Sequence, residues 1–240
     1  MFAMGRLPSW RRSATTGHCN QRGIAYSAAD YKKRHSNMIR ALMVDVDGVL
    51  VSGRPEDGRP WASGIQDDLG FSVDQLQREF FAPHWNDIVT GRSTLNQHLK
   101  PALAKIAPHL SYEDFVAYWF GNDARLNVEL LEQLDQQRSS GRRVYLATNQ
   151  EHSRAAHLME VLGLASHCDG IYYSAALGCK KPDKNFFERV SALSGIQARQ
   201  LLLIDDTPAN VTAARAAGWN AETWLEDSTL AKTMANFDLK

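Results

Sequence analysis

The chain lacks the marks of several protein classes. Lys plus Arg and Asp plus Glu number 27 each in 240 residues, so no net field draws it to nucleic acid or to a membrane surface. Cysteines are few: Cys19, Cys168 and Cys179, with no CxxC pair among them. An odd, unpatterned set gives no disulfide framework, so reduced thiols in a cytoplasmic setting are expected. No apolar run comes near the roughly 18 residues that a membrane-spanning helix needs. Internal repeats and low-complexity tracts are missing as well. With 44% apolar residues, the composition is that of a soluble globular protein.

Charge is balanced overall but not locally. From Met1 to Arg40 eight basic residues accompany a single acid, Asp30. The stretch has no apolar centre, which excludes a secretory signal. An Arg-rich, acid-poor leader has the composition of an organelle transit peptide, the alternative to a cytoplasmic protein. It shows no amphipathic period, however, and a disordered basic leader over residues 1–38 is the expectation. Met38, just ahead of the first strand, is a second candidate start.

What is present begins at Ile39–Val46 (IRALMVDV), a short apolar run that meets carboxylates only at its end. Arg143–Thr148, Gly170–Ser174 and Leu201–Asp205 look alike, with a weaker fifth candidate at Trp219–Trp224. Such runs read as strands buried on both faces of a parallel sheet. Helical segments lie between them at Val128–Gln137, Ser153–Leu162, Asn185–Leu193 and Pro208–Ala217, most closed by a glycine. Strand–helix alternation from residue 126 onward predicts an α/β, doubly wound parallel sheet. The segment before it breaks the rhythm. After the turn at Ser52–Pro60, apolar residues recur at helical spacing (Leu76, Phe80, Phe81; Leu95, Leu99, Leu103; Phe115, Val116, Trp119). An all-helical insertion over 58–124 is expected there, between core segments 39–57 and 125–240.

Four polar features sit at or just past predicted strand ends, where α/β sheets place ligands. Asp45 and Asp47 flank one valine and can share a side of the chain; close together they repel unless a cation or a proton separates them. A solvated turn acid plus a helix cap is the plain alternative. Thr148 and Asn149 offer a hydroxyl and a backbone N–H at a helix start, an arrangement that holds anions or simply caps the helix. Lys181, ahead of Pro182 and Asp183, is a point charge suited to phosphate or an ordinary surface lysine. Asp205 and Asp206 close an apolar strand and are costly to bury without a cation. Jointly the four supply hard oxygen ligands and positive donors, the requirements of phosphoryl transfer with Mg²⁺.

In this order, DVDGVL (45–50), TN (148–149), KPD (181–183) and DDTPAN (205–210), the motifs resemble those of the haloacid dehalogenase superfamily over nearly all of the chain from Ile39 onward. The resemblance implies a five-stranded parallel core of order 5-4-1-2-3 with a helical cap inserted after the first strand. It implies that Asp45 is the nucleophile and a metal ligand, and that Asp47 is the general acid/base, with its carbonyl also on the metal. Thr148, the Asn149 amide and Lys181 would hold the phosphoryl group. Asp206 would bind Mg²⁺ directly, Asp205 more weakly or from behind, and Asn210 would orient the pair. The implied activity is magnesium-dependent hydrolysis of a small phosphomonoester, a sugar phosphate or nucleotide-like, through an aspartyl-phosphate. A phosphomutase would use the same residues. A 2-haloacid dehalogenase would leave Asp47 and the Asp205–Asp206 pair unexplained, and a non-catalytic binding protein would have no need of the full set. Substrate choice falls to the insertion, whose polar candidates are His84, Asn86, Arg92, Asn122 and Arg125, beside Trp85 and Trp119. The plainer expectation for each is that the tryptophans are core of the insertion and the polar groups are solvated.

Overall fold

A computed structural model of the chain describes residues 38–238 and, within 1–37, only the antiparallel pairing of His18–Cys19 with Ala25–Tyr26. The expectations of a disordered leader and of a targeting signal lie outside the described residues.

Five strands form one sheet: β1 (Ala41–Val44), β2 (Arg143–Thr148), β3 (Gly170–Tyr173), β4 (Leu201–Asp205) and β5 (Asn220–Thr223). Their order is β3-β2-β1-β4-β5 and every pairing is parallel, as the 5-4-1-2-3 order implied. β1 is central, so all four of its residues are buried. Its side chains alternate between faces as strand geometry requires. Leu42 and Val44 join Val144, Leu146, Leu202 and Ile204 in one apolar cluster, while Ala41 and Met43 join Leu201, Leu203 and Ala221 in the other. Two buried faces explain why the runs are continuously apolar rather than alternating.

Eleven helices are labelled in chain order. In the insertion are α1 (Ile65–Leu69), α2 (Val73–Leu76), α3 (Ala82–Val89), α4 (Leu95–Ile106) and α5 (Tyr112–Asn122). The core carries α6 (Val128–Ser139), α7 (His152–Glu160), α8 (Ser174–Leu177), α9 (Lys184–Ser194), α10 (Pro208–Ala216) and α11 (Leu230–Asp238). Helices α6, α7 and α11 cover the first sheet face through Leu130, Leu134, Leu158, Leu230 and Met234. Helices α9 and α10 cover the second through Phe186, Phe187, Val190, Val211 and Ala214. No described helix is long and apolar enough to cross a membrane.

The insertion has an apolar core of its own, with Ile65, Phe71, Leu76, Phe80, Leu99, Leu103, Phe115 and Trp119 among its buried members. The three apolar triplets predicted as helical all lie in it. Helices α2 and α3 are joined by one π-helical turn, Gln77–Phe81. Pro83 follows within α3; proline has no N–H to give and its ring crowds the carbonyl one turn back, which a widened turn accommodates.

Candidate active site

Residue by residue, the sheet delivers the acids to one place. Val44 is level with Leu146 on β2 and Ile204 on β4. One residue on, the strand pattern ends, yet Asp45 N–H still donates to Ile204 O at 2.9 Å. Asp45 thus emerges between Ala147–Thr148 on one side and Asp205 on the other. Its carboxylate accepts its neighbour's Val46 N–H at 2.8 Å and meets the Lys181 ammonium at 2.9 Å.

Lys181 is 2% exposed and comes from the loop before α9. A buried ammonium is costly unless every proton finds a partner. Here its Nζ donates to Ala147 O at 2.7 Å and to Asp205 at 2.6 Å, besides the Asp45 contact. The loop is fastened by Asn149, whose side chain accepts from Lys181 N–H at 2.8 Å and donates to Lys181 O at 3.0 Å. Sequence reading gave Asn149 only its backbone amide; the reciprocal side-chain clasp across 32 residues has no local signal.

The Asp205–Asp206 pair divides. Asp205 is fully buried, whereas Asp206 reaches solvent, so the larger burial cost falls on Asp205. Asp205 accepts from Lys181, from Thr207 N–H at 2.9 Å and from Asn210 Nδ2 at 3.0 and 3.2 Å. These four hydrogen bonds, from three donors, occupy nearly all its acceptor capacity. Asp206 accepts from Thr207 Oγ1 at 3.2 Å. Its other oxygen lies over Gly48, where an added Cβ would stand 2.2 Å from it; with φ at +80°, that position takes glycine on both counts. Asp47, two residues beyond the nucleophile candidate, accepts from Gln150 Nε2 at 2.7 Å. Thr148 ends β2 and is buried beside them.

Carboxylate oxygens of Asp45, Asp205 and Asp206 lie within 4.8 Å of one another. The electrostatics follow. Burial pushes the Asp45 carboxyl up to about 7 against the pull of Lys181, and Asp205 adds to the rise. Burial raises Asp47 as well, opposed by Arg154 and Gln150. Asp206 is raised by burial and then by Asp205. For Lys181, burial works against the charge, but Asp45 and Asp205 outweigh it and the ammonium is held above its ordinary range. One lysine therefore leaves an excess of negative charge among hard oxygen donors, the environment that suits Mg²⁺.

Sequence reading missed a second buried cation. Arg154, in the first turn of α7, pairs with Asp123 at 3.2 Å, donates to Phe120 O at 3.3 Å and lies over the Phe120 ring. It joins the core to the end of α5. By contrast, the polar candidates of the insertion are engaged locally. Arg92 pairs with Asp87 at 2.8 Å with both side chains more than half exposed. Asn122 donates to Tyr118 O, and the His84 ring stacks on His98. Asn86 is exposed and the Arg125 guanidinium lies against Gly58. Trp85 and Trp119 belong to a ring cluster with Phe81.

A sesquiterpene phosphatase of Aspergillus oryzae is 36% identical over 96 residues, 40% of this chain and 47% of that protein. The chain thus aligns with about half the length of that relative. A phosphoglycolate phosphatase of Cupriavidus necator is 27% identical over 74% of this chain and 77% of its own. Among solved structures, a HAD family enzyme of Bacteroides thetaiotaomicron, in complex with magnesium and inorganic phosphate, superposes with a TM-score of 0.68. It is 18% identical and covers 81% of this chain and 98% of its own. The profile of the haloacid dehalogenase-like hydrolases spans residues 39–218, from the first strand through the acidic pair to the end of α10; with the sheet order and the cluster at its strand ends, the chain belongs to that family of hydrolases.

Proposed function

We propose that the protein is a magnesium-dependent phosphatase that cleaves a small phosphomonoester through an aspartyl-phosphate on Asp45. One observation carries the reading: Asp45 projects past the central strand, fixed by Lys181 and flanked by Asp205 and Asp206. Asp45, Asp206 and the carbonyl of Asp47 would hold Mg²⁺. With its acceptors filled by four hydrogen bonds, Asp205 instead holds Lys181 and stands behind the metal position. When bound, the ion would neutralise the carboxylates and a phosphoryl oxygen so that anion can approach anion.

The chain's own groups then do the chemistry. The Thr148 hydroxyl and the Asn149 N–H receive the phosphoryl oxygens, while the Lys181 ammonium, its protons shared among Ala147 O, Asp205 and Asp45, steadies the nucleophile and adds positive charge beside the phosphoryl group. The Asp45 carboxylate attacks phosphorus in line, and Asp47 gives a proton to the departing ester oxygen. Asp47 next takes a proton from the water that cleaves the acyl phosphate and restores Asp45. Two modest steps replace one hard one.

The helical insertion, residues 58–124, is proposed to act as a cap that excludes water and selects the substrate, on core segments 39–57 and 125–240. The phosphatase names of the two relatives favour a phosphomonoester over a haloacid. Their substrates differ, and a sugar phosphate or nucleotide-like ester in a cytoplasmic setting is our first choice. Phosphate release from a panel of such esters tests this. Activity should need added Mg²⁺, vanish with EDTA and fall several orders of magnitude in Asp45→Asn. Full turnover in metal-free buffer would exclude the mechanism.

A further inference from the structure

Gln150 follows the Thr148–Asn149 pair and is only 3% exposed. A primary amide taken out of water must use its polar atoms or lose stability. The Gln150 amide spends a donor on Asp47 Oδ2, at 2.7 Å, short enough for a hydrogen bond to a carboxylate. Its main chain is held too. Gln150 O accepts Ala175 N–H at 3.1 Å, at the start of α8. The adjacent Ser174 hydroxyl lies 3.2 Å from the same carbonyl and donates to Val89 O, the last residue of α3, at 2.6 Å. Gly91 presses so close to α8 that an added Cβ would stand 2.3 Å from Ala175 O. The side chain that touches Asp47 therefore hangs from a fixed backbone, clasped between the sheet and the helical insertion.

We propose that Gln150 is a positioning residue for Asp47, holding its carboxyl so that the proton reaches the leaving oxygen. The inference rests on the reading of Asp47 as general acid/base and adds a group to it. An amide suits the task. It brings no charge of its own, and by occupying Oδ2 it leaves Oδ1 as the oxygen that carries the proton. As the phosphorus–oxygen bond to the alcohol breaks, that proton passes from Oδ1 to the alcohol oxygen and Asp47 becomes a carboxylate. The same orientation presents the carboxylate to the water that later attacks phosphorus, gives up its proton and frees Asp45.

A side chain that only fills space would affect all substrates alike, whereas one that aims an acid matters most where the leaving oxygen needs its proton. The test compares kcat/KM for 4-nitrophenyl phosphate, with an acidic leaving group, and for phenethyl phosphate, with an alkoxide one. This parameter covers steps up to departure of the alcohol and so omits hydrolysis of phosphorylated Asp45. Gln150→Met keeps the volume and removes the donor. Gln150→Ala serves if the methionine does not fit. In folded protein either should raise the aryl-to-alkyl ratio about tenfold or more. A ratio within about twofold of wild type, whatever the absolute loss, overturns the proposal. Asp47→Asn is measured alongside. If it raises the ratio and the Gln150 variants do not, only the role of Gln150 falls. If Asp47→Asn leaves the ratio unchanged, the general acid falls and the role of Gln150 with it.

Discussion

Single residues decide the charge state of the site. Asp45 has its carboxyl raised from an ordinary 3.8 to about 7, with burial the leading cause. A group raised in the folded state stabilises below its unfolded value and loses that contribution as pH climbs through the folded one. Metal-free protein should therefore lose melting temperature between about pH 4 and pH 7. Asp45→Asn should lose less, and added Mg²⁺ should remove most of the fall by binding only the folded, ionised site. Thermal melts at several pH values, with and without Mg²⁺, check this; a wild-type slope identical to that of Asp45→Asn would contradict it. At this scale the sequence was most legible where motif chemistry is local. Asp45, Asp47, Lys181, Asp205, Asp206 and Asn210 all come together as their motifs implied. Gln150, Arg154 and the side-chain role of Asn149 were not legible, because each acts on a partner 31 to 103 residues away.

Whole elements owe their placement to patterns that the sequence did carry. Apolar runs found four of the strands, since a buried parallel sheet writes itself as continuous hydrophobicity, whereas β5 (NAET) is largely polar and came only as the weaker candidate Trp219–Trp224. Arg143–Thr148 and Leu201–Asp205 have the expected bounds; the other ends shifted by a residue or two, as with Ile39–Val46, where only Ala41–Val44 keeps strand pairing. Short helices escaped notice: α8 has four residues, too few to show a period. Helix α10 shows why punctuation is an incomplete guide. Thr207 stands at its N-cap but makes no side-chain cap, while Asn210 in the first turn faces Asp205 instead of solvent. Hydrogen bonds to buried charge are worth about 1.5–3 kcal/mol. Asn210→Ala should thus lower stability by about 2 kcal/mol, and Asn210→Asp by more, since it sets a further carboxylate beside Asp205. Urea midpoints measure both; no loss in either variant would show that water replaces the amide at Asp205.

For the whole molecule, the main chain passes from the core to the insertion and back through a narrow waist. Val51 and Leu126 form an antiparallel bridge. Ser52 N–H donates to Arg125 O at 3.0 Å, Arg125 N–H to Gly53 O at 3.1 Å, and Asn127 N–H to Leu50 O at 2.9 Å. The chain leaves the sheet and returns to it along one two-stranded ribbon. The location of the insertion could be read from the break in strand–helix rhythm; this ribbon could not, because its residues pair across more than 70 positions of helix-rich sequence. Its consequence is topological. With Gly53 and Ala124 already hydrogen-bonded neighbours, everything between them is a closed excursion that a two-residue turn can replace without moving either end. A chain in which Asn-Gly substitutes for residues 54–123 should keep one cooperative melt. It should still hydrolyse 4-nitrophenyl phosphate slowly while losing preference among natural esters. Conversely, the excised piece carries its own apolar cluster and both ends in register. It is a cassette, and grafting it onto another sheet with such a ribbon should carry selectivity across with it.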